Sequence, residues 1–331
     1  MDLSVIIPHY NLPPSLLTRA IDSIVSQWSP GYESWEIIVV DDGSDLPPTA
    51  TIGNYQRDNI RLLCQTHARQ GAARNFGLTQ AQGQYILFLD ADDYIFPGTL
   101  PKLLTLAQRH DLDILRFQTV KITALDLNVN VNHNLVPESV EGRPSTLDIT
   151  TGEEYLRRNN LPDSPSTFIF RRELATTNNV RFPEGVYLED CMFTACLHHF
   201  ATTLAEVDTK AYAYYQRTDS TVNTADARHK ELLRSHHLLA IDQLGSFIQE
   251  QRGQRDTTGL QHKLDYLVVD YIRRICNDLS LKDIREQHLP LLRSRGLYPL
   301  PLQRSYGYKY QALARLANTS LGLRLLKLLA G

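Results

Sequence analysis

Short apolar runs recur along the first part of the chain and alternate with segments of helical spacing. Four runs have the length and the β-branched character of buried strands, at residues 3–8, 36–40, 60–65 and 85–89. We expect Pro8 to end the first of them. Between the runs, Leu17, Ile21 and Ile24 follow a helical period, and residues 71–81 form a second helical stretch. Strands that alternate with helices build a mostly parallel sheet covered on both faces, so we predict an α/β fold.

Polar side chains stand directly after three of the four predicted strands. They are His9, Tyr10 and Asn11 after the first strand, Asp41 and Asp42 after the second, and Asp90, Asp92 and Asp93 after the fourth. Parallel strands in an open α/β sheet present ligand-binding groups beyond their carboxyl ends. The pattern therefore predicts one binding cleft at that edge of the sheet.

The three aspartates after the fourth strand suggest a cation. Clustered carboxylates repel and raise each other's pKa, so a positive group should sit among them. One interpretation is a divalent cation held by Asp90 and Asp92, with water and phosphate oxygens in its remaining positions. The alternative is an acidic turn that caps a helix opening near Pro97.

Three further residues have side chains suited to a nucleotide. Asp42 can accept a hydrogen bond from a uracil N3–H, or it can form an Asx turn with the two residues that follow it. Tyr10 can stack on a base, or it can be an ordinary surface tyrosine. Arg74 is predicted in the first turn of a helix, where the helix dipole disfavours a cation. We therefore expect Arg74 to form an ion pair with a local anion, either a diphosphate or the Asp90/Asp92 pair. The alternative is a plain surface arginine.

Composition narrows the class of protein. The 331 residues favour two structural units, and a formal net charge of −3 leaves no basic surplus for a nucleic-acid partner. The four cysteines show neither zinc spacing nor a Cys-x-x-Cys pair, which suits a reducing cytosol. No basic leader precedes the first strand, and no run reaches about 18 apolar residues. We therefore expect a cytoplasmic protein without a transmembrane segment.

The four motifs at residues 4–11, 39–44, 71–75 and 87–93 resemble those of glycosyltransferase family 2 in order and spacing. The resemblance covers roughly residues 1–218 and implies a GT-A catalytic domain, followed here by a helical C-terminal region at 219–331. It also implies inverting transfer from a nucleotide-diphosphate sugar, most often a UDP-sugar, with Mg²⁺ or Mn²⁺ as cofactor. The acceptor would be a hydroxyl of a glycan or lipid-linked molecule in surface polysaccharide assembly. Carried onto this sequence, the family pattern assigns Pro8, Tyr10 and Asp42 to the nucleoside, Arg74 to the diphosphate side, and Asp90 with Asp92 to the metal. Asn11 and Asp90 are also counted among the nucleotide-binding residues.

The second half of the catalytic domain supplies the remaining candidates. We predict a strand pair over residues 113–131 and a strand over 167–172. Inverting transfer needs one base to deprotonate the acceptor hydroxyl. The family's Glu-Asp pair matches Glu189 and Asp190, which assigns Asp190 as the catalytic base and Glu189 to acceptor-side support. The alternative is that both are acids favoured at a helix N-terminus.

Arg217 lies in a segment similar to the family's Tyr-Tyr-x-Arg and is assigned to the diphosphate. The Gln-x-x-Arg-Trp motif of processive members is absent, which favours addition of a single sugar.

From about residue 226 the apolar spacing becomes helical. The last stretch places Leu321, Leu325, Leu328 and Leu329 on one face, with Arg324 and Lys327 elsewhere. This helix either makes a peripheral contact with the inner face of the cytoplasmic membrane or packs on its own domain. The helical region is also a candidate surface for a homo-oligomer.

Two other functions compete with sugar transfer. A non-catalytic nucleotide-sugar-binding protein would share the fold, but the pair Glu189 and Asp190 argues against it. A nucleotidyltransferase would need a glycine-rich, basic loop after the first strand. Residues 9–13 contain neither lysine nor arginine, so that function is disfavoured.

Overall fold

The computed structural model describes residues 1–29, 31–123, 147–159, 164–216, 226–303 and 306–330. The chain divides into two compact units. The first comprises Met1–Gly152 and Asp163–Asn223, and the second comprises Glu153–Pro162 and Thr224–Gly331. Residues 153–162 thus belong to the second unit, although they lie within the first 218 positions of the chain.

The first unit is built on a mixed sheet, of which eight strands fall in the described ranges. They are β1 (Leu3–His9), β2 (Trp35–Asp41), β3 (Ile60–Cys64), β4 (Tyr85–Phe88), β5 (Tyr94–Ile95), β6 (Ile114–Ile122), β7 (Phe168–Arg171) and β8 (Leu204–Tyr215). Their order is β3-β2-β1-β4-β7-β6-β8-β5. The pairings among β3, β2, β1 and β4 are parallel, as is that of β6 with β8. The other pairings, β7 with β4 and β6 and β5 with β8, are antiparallel.

The α/β prediction is confirmed, and the four strands predicted first are β1 to β4. The expected strand pair over 113–131 is described only as β6, because residues 124–131 lie outside the described ranges. Within the described ranges β6 pairs with β7 and β8, which follow it much later in the chain.

Helices cover the sheet and make up most of the second unit. In chain order they are α1 (Pro14–Val25), α2 (Thr49–Gly53), α3 (Arg69–Gln80), α4 (Leu100–Arg109), α5 (Gly152–Arg158), α6 (Arg172–Thr177), α7 (Glu189–Phe200), α8 (Ala227–Gln251), α9 (Thr258–Asp278), α10 (Leu281–Asp283), α11 (Leu289–Ser294), α12 (Tyr308–Ala317) and α13 (Ser320–Ala330). A 3₁₀ turn at Pro165–Thr167 precedes β7, and a π turn at Ile284–His288 joins α10 to α11.

The core of the first unit lies on both faces of the sheet. On one face, apolar residues of α1 and α4 such as Leu17, Ile21 and Leu104 pack against alternate residues of the strands. On the other face, Phe88 contacts Phe182, whose ring stacks on that of Phe193 with centroids 3.8 Å apart. This aromatic layer supports the helices that carry the candidate site.

Pro8 does not end the first strand, contrary to our expectation. β1 continues to His9, with Pro8 in register opposite Val40 of β2. Proline is tolerated where no neighbouring strand needs its missing N–H. Pairing of β1 with β4 stops at Ile6, so beyond that residue β1 is hydrogen-bonded on one side only.

The second unit is helical and includes α5. The Glu153 carboxylate of α5 accepts a hydrogen bond from the Gly259 N–H at the start of α9 at 2.7 Å. A Cβ at Gly259 would lie 2.5 Å from the Glu153 carbonyl oxygen, so only glycine permits this approach. None of the helices in the described ranges has both the length and the apolar character that a membrane-spanning helix requires.

Candidate active site

The acidic loop after β4 is held in place by β8. Asp93 is buried and accepts hydrogen bonds from the Tyr212 hydroxyl at 2.5 Å and from the Tyr215 N–H at 2.8 Å. The Tyr212 oxygen in turn accepts from the Asp90 N–H at 3.3 Å. Asp93 thus attaches the loop to β8. Asp90, at the start of the same loop, stays partly exposed at the edge of the sheet.

One buried arginine joins the two acidic motifs. Arg74 is 1% exposed, and its guanidinium donates from Nη1 to Asp190 Oδ1 at 2.6 Å and from Nη2 to Asp90 Oδ1 at 2.9 Å. Glu189 Oε1 lies 3.7 Å from Nη1, and the guanidinium carbon stands 5.3 Å from the centroid of the Phe182 ring. Burial alone would lower the pKa of Arg74, but the charges of Asp190, Asp90 and Glu189 raise it above its ordinary value. Arg74 is therefore a fixed cation, and it lies in the second turn of α3 rather than in the first turn as predicted.

Glu189 and Asp190 open α7 and face this cation. The residue before them, Leu188, has a φ of 68°, a left-handed conformation that costs a side-chain-bearing residue roughly 1–2 kcal/mol. Burial and the neighbouring charge of Asp190 raise the pKa of Glu189 to about 7, although Arg74 opposes the rise. Burial also raises the pKa of Asp190 above its ordinary value, again against the effect of Arg74. The pair is therefore both an N-terminal helix pair and part of an ion-paired cluster.

Asp42 lies deep at the end of β2 and is already surrounded by donors. Its Oδ1 accepts from Gln65 Nε2 at 2.7 Å and from the Ala68 N–H at 2.8 Å, and its Oδ2 lies 2.9 Å from His67 Nδ1. The imidazole of His67 also stacks on Tyr10, with ring centroids 4.2 Å apart. His67 therefore makes both contacts that the sequence analysis assigned to a nucleotide base, the hydrogen bond with Asp42 and the stacking on Tyr10.

Ser44, which the Asx-turn alternative paired with Asp42, is bonded instead by the neighbouring residue Asp41. Asp41 accepts from the Ser44 N–H at 3.2 Å and from the Ser44 hydroxyl at 2.6 Å. Asn11 is tied to the same turn, because its N–H donates to Ser44 Oγ at 2.8 Å and its side-chain oxygen accepts from the Asp45 N–H at 2.9 Å. Asn11 thus shapes the loop after β1.

The start of α3 brings these groups together. Asp42 binds the N–H of Ala68, the residue before the helix, and two residues further on Gln70 donates to Asp90 Oδ1 at 2.8 Å. One turn later Arg74 reaches Asp90 and Asp190. Side chains from the ends of β2 and β4 and from the start of α7 therefore meet around two turns of one helix, as the predicted cleft requires.

Gly71 in this helix has a packing role. A Cβ there would lie 2.8 Å from the Pro183 carbonyl oxygen and 3.2 Å from Glu189 Cγ. The glycine thus lets the protein's own chain, rather than a ligand, come close to the helix.

A cavity of about 660 Å³ opens beside α3. It shares Gln65 and Ala68 with the surroundings of Asp42, and Ala72, Phe76 and Thr79 line it from the face of α3 opposite Arg74. The cavity thus adjoins the candidate nucleoside site and is separate from the ion cluster.

Two aspartates of the acidic loop, Asp90 and Asp92, are the candidate ligands of a divalent cation. Burial raises the pKa of Asp93 to about 8, and the charges of Asp90 and Asp92 add to the rise, which indicates excess negative charge in the loop. Arg19 holds the loop at the backbone, because it donates to the Asp92 carbonyl oxygen at 2.5 Å. In the described part of the chain, no group of three or more His, Cys, Asp or Glu side chains is arranged to hold a metal ion. A Mg²⁺- or Mn²⁺-type ion held by Asp90 and Asp92 would therefore need water and phosphate oxygens in its remaining positions.

Sequence reasoning missed several residues of the site, and one residue that it proposed has no described position. Arg217 lies outside the described residues, so its assignment stays a prediction. His67 and Tyr212 were not predicted as partners of Asp42 and Asp93. The sequence signal for these partners was the aspartates themselves. A buried carboxylate needs hydrogen-bond donors, and other residues of the chain must supply them.

The mixed sheet with acidic side chains gathered at its strand ends indicates a transferase of the GT-A type, and sequence comparison identifies the family. The model of glycosyl transferase family 2 matches residues 4–177, more than half of the chain, so the chain belongs to that family. It is accordingly a glycosyltransferase of GT-A-like fold with a helical C-terminal region.

Particular relatives come from several bacteria. The chain is 28% identical over 254 residues to the uncharacterized glycosyltransferase YibD of Escherichia coli (strain K12), covering 73% of this chain and 69% of YibD. It is also 28% identical over 257 residues to the poly(ribitol-phosphate) beta-N-acetylglucosaminyltransferase TarS of Staphylococcus aureus, covering 76% of this chain but only 42% of TarS. A crystal structure of S. aureus TarS 1–349 in complex with UDP-GlcNAc superimposes with a TM-score of 0.63 at 22% identity, over 99% of this chain and 90% of that one.

Proposed function

We propose that this protein is a metal-dependent, inverting glycosyltransferase that moves one sugar from a UDP-sugar to a hydroxyl of a glycan or lipid-linked acceptor. The observation that carries the proposal is the buried Arg74, which binds Asp90 on the donor side and Asp190 on the acceptor side. Departure of the donor's diphosphate and deprotonation of the acceptor must occur within a few ångströms of each other. Arg74 contacts the carboxylate proposed for each step, Asp90 for the first and Asp190 for the second.

Asp190 is the base in this proposal. Arg74 holds Asp190 Oδ1 at 2.6 Å and so fixes the orientation of the carboxylate, while Oδ2 would take the proton of the acceptor hydroxyl. The raised pKa of Asp190 brings its proton affinity closer to what a base needs at neutral pH. Glu189, at 3.7 Å from the same guanidinium, would support the acceptor side.

The donor would lie along the edge formed by the ends of β1, β2 and β4. Asp42 and Tyr10 would hold the base, with Pro8 and Asn11 shaping the loop, and Arg74 and Arg217 would serve the diphosphate. Asp90 and Asp92 would hold a Mg²⁺ or Mn²⁺ ion, which when bound stabilises the charge on the leaving diphosphate. The names of two S. aureus TarS structures, with UDP-GlcNAc and with UDP, support a uridine nucleotide.

The proposed acceptor class is inferred from the names of two relatives. TarS is named for transfer to poly(ribitol-phosphate), and another match is the minor teichoic acid biosynthesis protein GgaB of Bacillus subtilis (strain 168). We therefore favour surface polysaccharide assembly. None of the four cysteines, all at described positions, takes part in a disulfide, which supports a reducing, cytoplasmic location.

The test is Asp190→Asn. We expect turnover to fall about 10²–10⁴-fold, the range for loss of a general base, while UDP affinity measured by calorimetry changes only a few-fold. Asp58→Asn, at an exposed position away from the site, is the matched control and should leave turnover unchanged. Normal turnover in Asp190→Asn would refute the assignment.

A donor screen completes the test. Calorimetry with Mn²⁺ should show binding of UDP-sugars in preference to GDP- and TDP-sugars. Preference for another nucleoside diphosphate would overturn the uridine part of the proposal and leave the roles of Arg74 and Asp190 standing.

A further inference from the structure

The last helix of the described chain has two different sides. On one side Leu323 and Leu326 are buried, and α13 contacts α9 of the same unit. On the other side lie four leucines, here called the leucine face, which are 68%, 43%, 77% and 81% exposed: Leu321, Leu325, Leu328 and Leu329. The helix is thus anchored on its own unit and still presents a contiguous apolar surface to its surroundings.

The sequence around this face is strongly basic. After Glu286 the chain contains no acidic residue and seven basic ones, at positions 293, 295, 304, 309, 315, 324 and 327. The other 27 of the 34 basic residues share the first 286 positions with all 37 acidic residues. A chain with a net charge of −3 therefore concentrates its positive charge in its last part.

Three of these cations are exposed, one on α13 itself and two on the neighbouring helix α12. Arg324, which the sequence analysis set apart from the leucines, lies three residues after Leu321 and four before Leu328, so helical geometry places it at the edge of the leucine face. Lys309 and Arg315 are exposed on α12, which packs against α13. Lys327, by contrast, donates to the Cys276 carbonyl oxygen at 3.1 Å in the last turn of α9 and serves internal packing.

We propose that the leucine face, with Lys309, Arg315 and Arg324, docks this protein on the surface of an anionic lipid bilayer. A short amphipathic helix binds such a surface by placing apolar side chains at the acyl boundary and cations among the headgroups. Charge argues against a second copy as the occupant. A two-fold interface through this patch would bring the same cations face to face, and such like-charge contacts are costly.

Flotation with lipid vesicles tests the proposal without reference to sugar transfer. The full chain is mixed, in EDTA and without nucleotide, with vesicles of phosphatidylcholine alone or of phosphatidylcholine with phosphatidylglycerol. We expect flotation with the anionic vesicles and a marked loss on phosphatidylcholine alone or in high salt. The variant in which all four residues of the leucine face become Gln should bind about tenfold or more weakly.

Controls separate docking from folding and from self-association. Leu46→Gln replaces a leucine that is 86% exposed in the first unit and should float like the parent protein. Thermal unfolding and UDP binding of the four-Gln variant should stay close to those of the parent, because all four leucines are exposed and the buried anchors Leu323 and Leu326 are unchanged. Absence of flotation by the parent, or equal flotation by the four-Gln variant, overturns the proposal. So does a parent protein that self-associates in sizing experiments and loses this property in the variant, since that result identifies a second copy as the occupant.

Discussion

Replacing Arg74 by Met tests whether the charge of this side chain stabilises the ion cluster. The substitution keeps an unbranched side chain over Phe182 and removes the cation that contacts Asp90, Glu189 and Asp190. Removing one partner of a buried ion pair costs about 3–5 kcal/mol. Asp90 and Asp190 are 24% and 32% exposed, so water compensates in part and we expect a loss near the lower end, about 3 kcal/mol. In a unit of this size each kcal/mol shifts the melting temperature by about 2–4 °C, which predicts a decrease of about 6–12 °C.

The pH dependence of that loss identifies its cause. Without Arg74, the pKa values of Glu189 and Asp190 should rise further above their unfolded-state values. The folded variant then binds more protons than the unfolded chain at intermediate pH, so its stability falls as pH rises through that window. The deficit relative to the parent should therefore be small near pH 5 and largest near pH 8. Arg158→Met, which breaks an exposed pair with Glu154, is the control and should cost less than about 1 kcal/mol at either pH. An equal deficit for Arg74→Met at both pH values would show that lost packing, and not charge, is responsible.

Three further predictions follow from individual contacts. The folded-state pKa of Asp93 is raised to about 8, so the stability of the parent protein should fall as pH rises from about 4 to 8. Mn²⁺ should raise the melting temperature more at pH 8 than at pH 5. An equal effect of Mn²⁺ at both pH values would contradict the proposed cation site. His67→Ala removes a hydrogen bond to Asp42 and should tighten UDP binding about 2–10-fold in calorimetry, whereas weaker binding would mean that His67 itself contacts the nucleoside. Gly71→Ala should destabilise by about 1–3 kcal/mol in thermal unfolding, while Gly245→Ala, with open space around its Cβ, should be neutral or stabilising.

Sequence pattern predicted the parts of this fold that depend on local periodicity. β1 to β4 are buried runs bounded by polar residues, and α1, α3 and the C-terminal helices show helical spacing. β5 was missed because two residues have no period. The first half of β8 was missed because residues 206–210 contain mostly polar and charged side chains, whose place in the sheet depends on partners far away in the chain.

The candidate site was predictable as a set of residues but not as a set of bonds. The motifs pointed to Asp42, Asp90 and Asp190 without showing what each carboxylate binds. The partners come from distant positions: Tyr212 reaches Asp93 across 119 residues, and Arg74 reaches Asp190 across 116. Such pairings are decided by how strands and helices pack, and a single sequence does not record that packing. For the same reason, nothing in the pattern showed that His67 covers Asp42.

The attachment of Asp93 to β8 has a consequence for ligand affinity. Ordering a flexible residue costs about 1–2 kcal/mol of conformational free energy, and a loose loop would incur that cost each time a ligand arrived. Here the bonds from Tyr212 and Tyr215 order the loop when the protein folds. A ligand of Asp90 and Asp92 therefore meets a preorganised loop, and more of the energy of each new contact appears as binding strength.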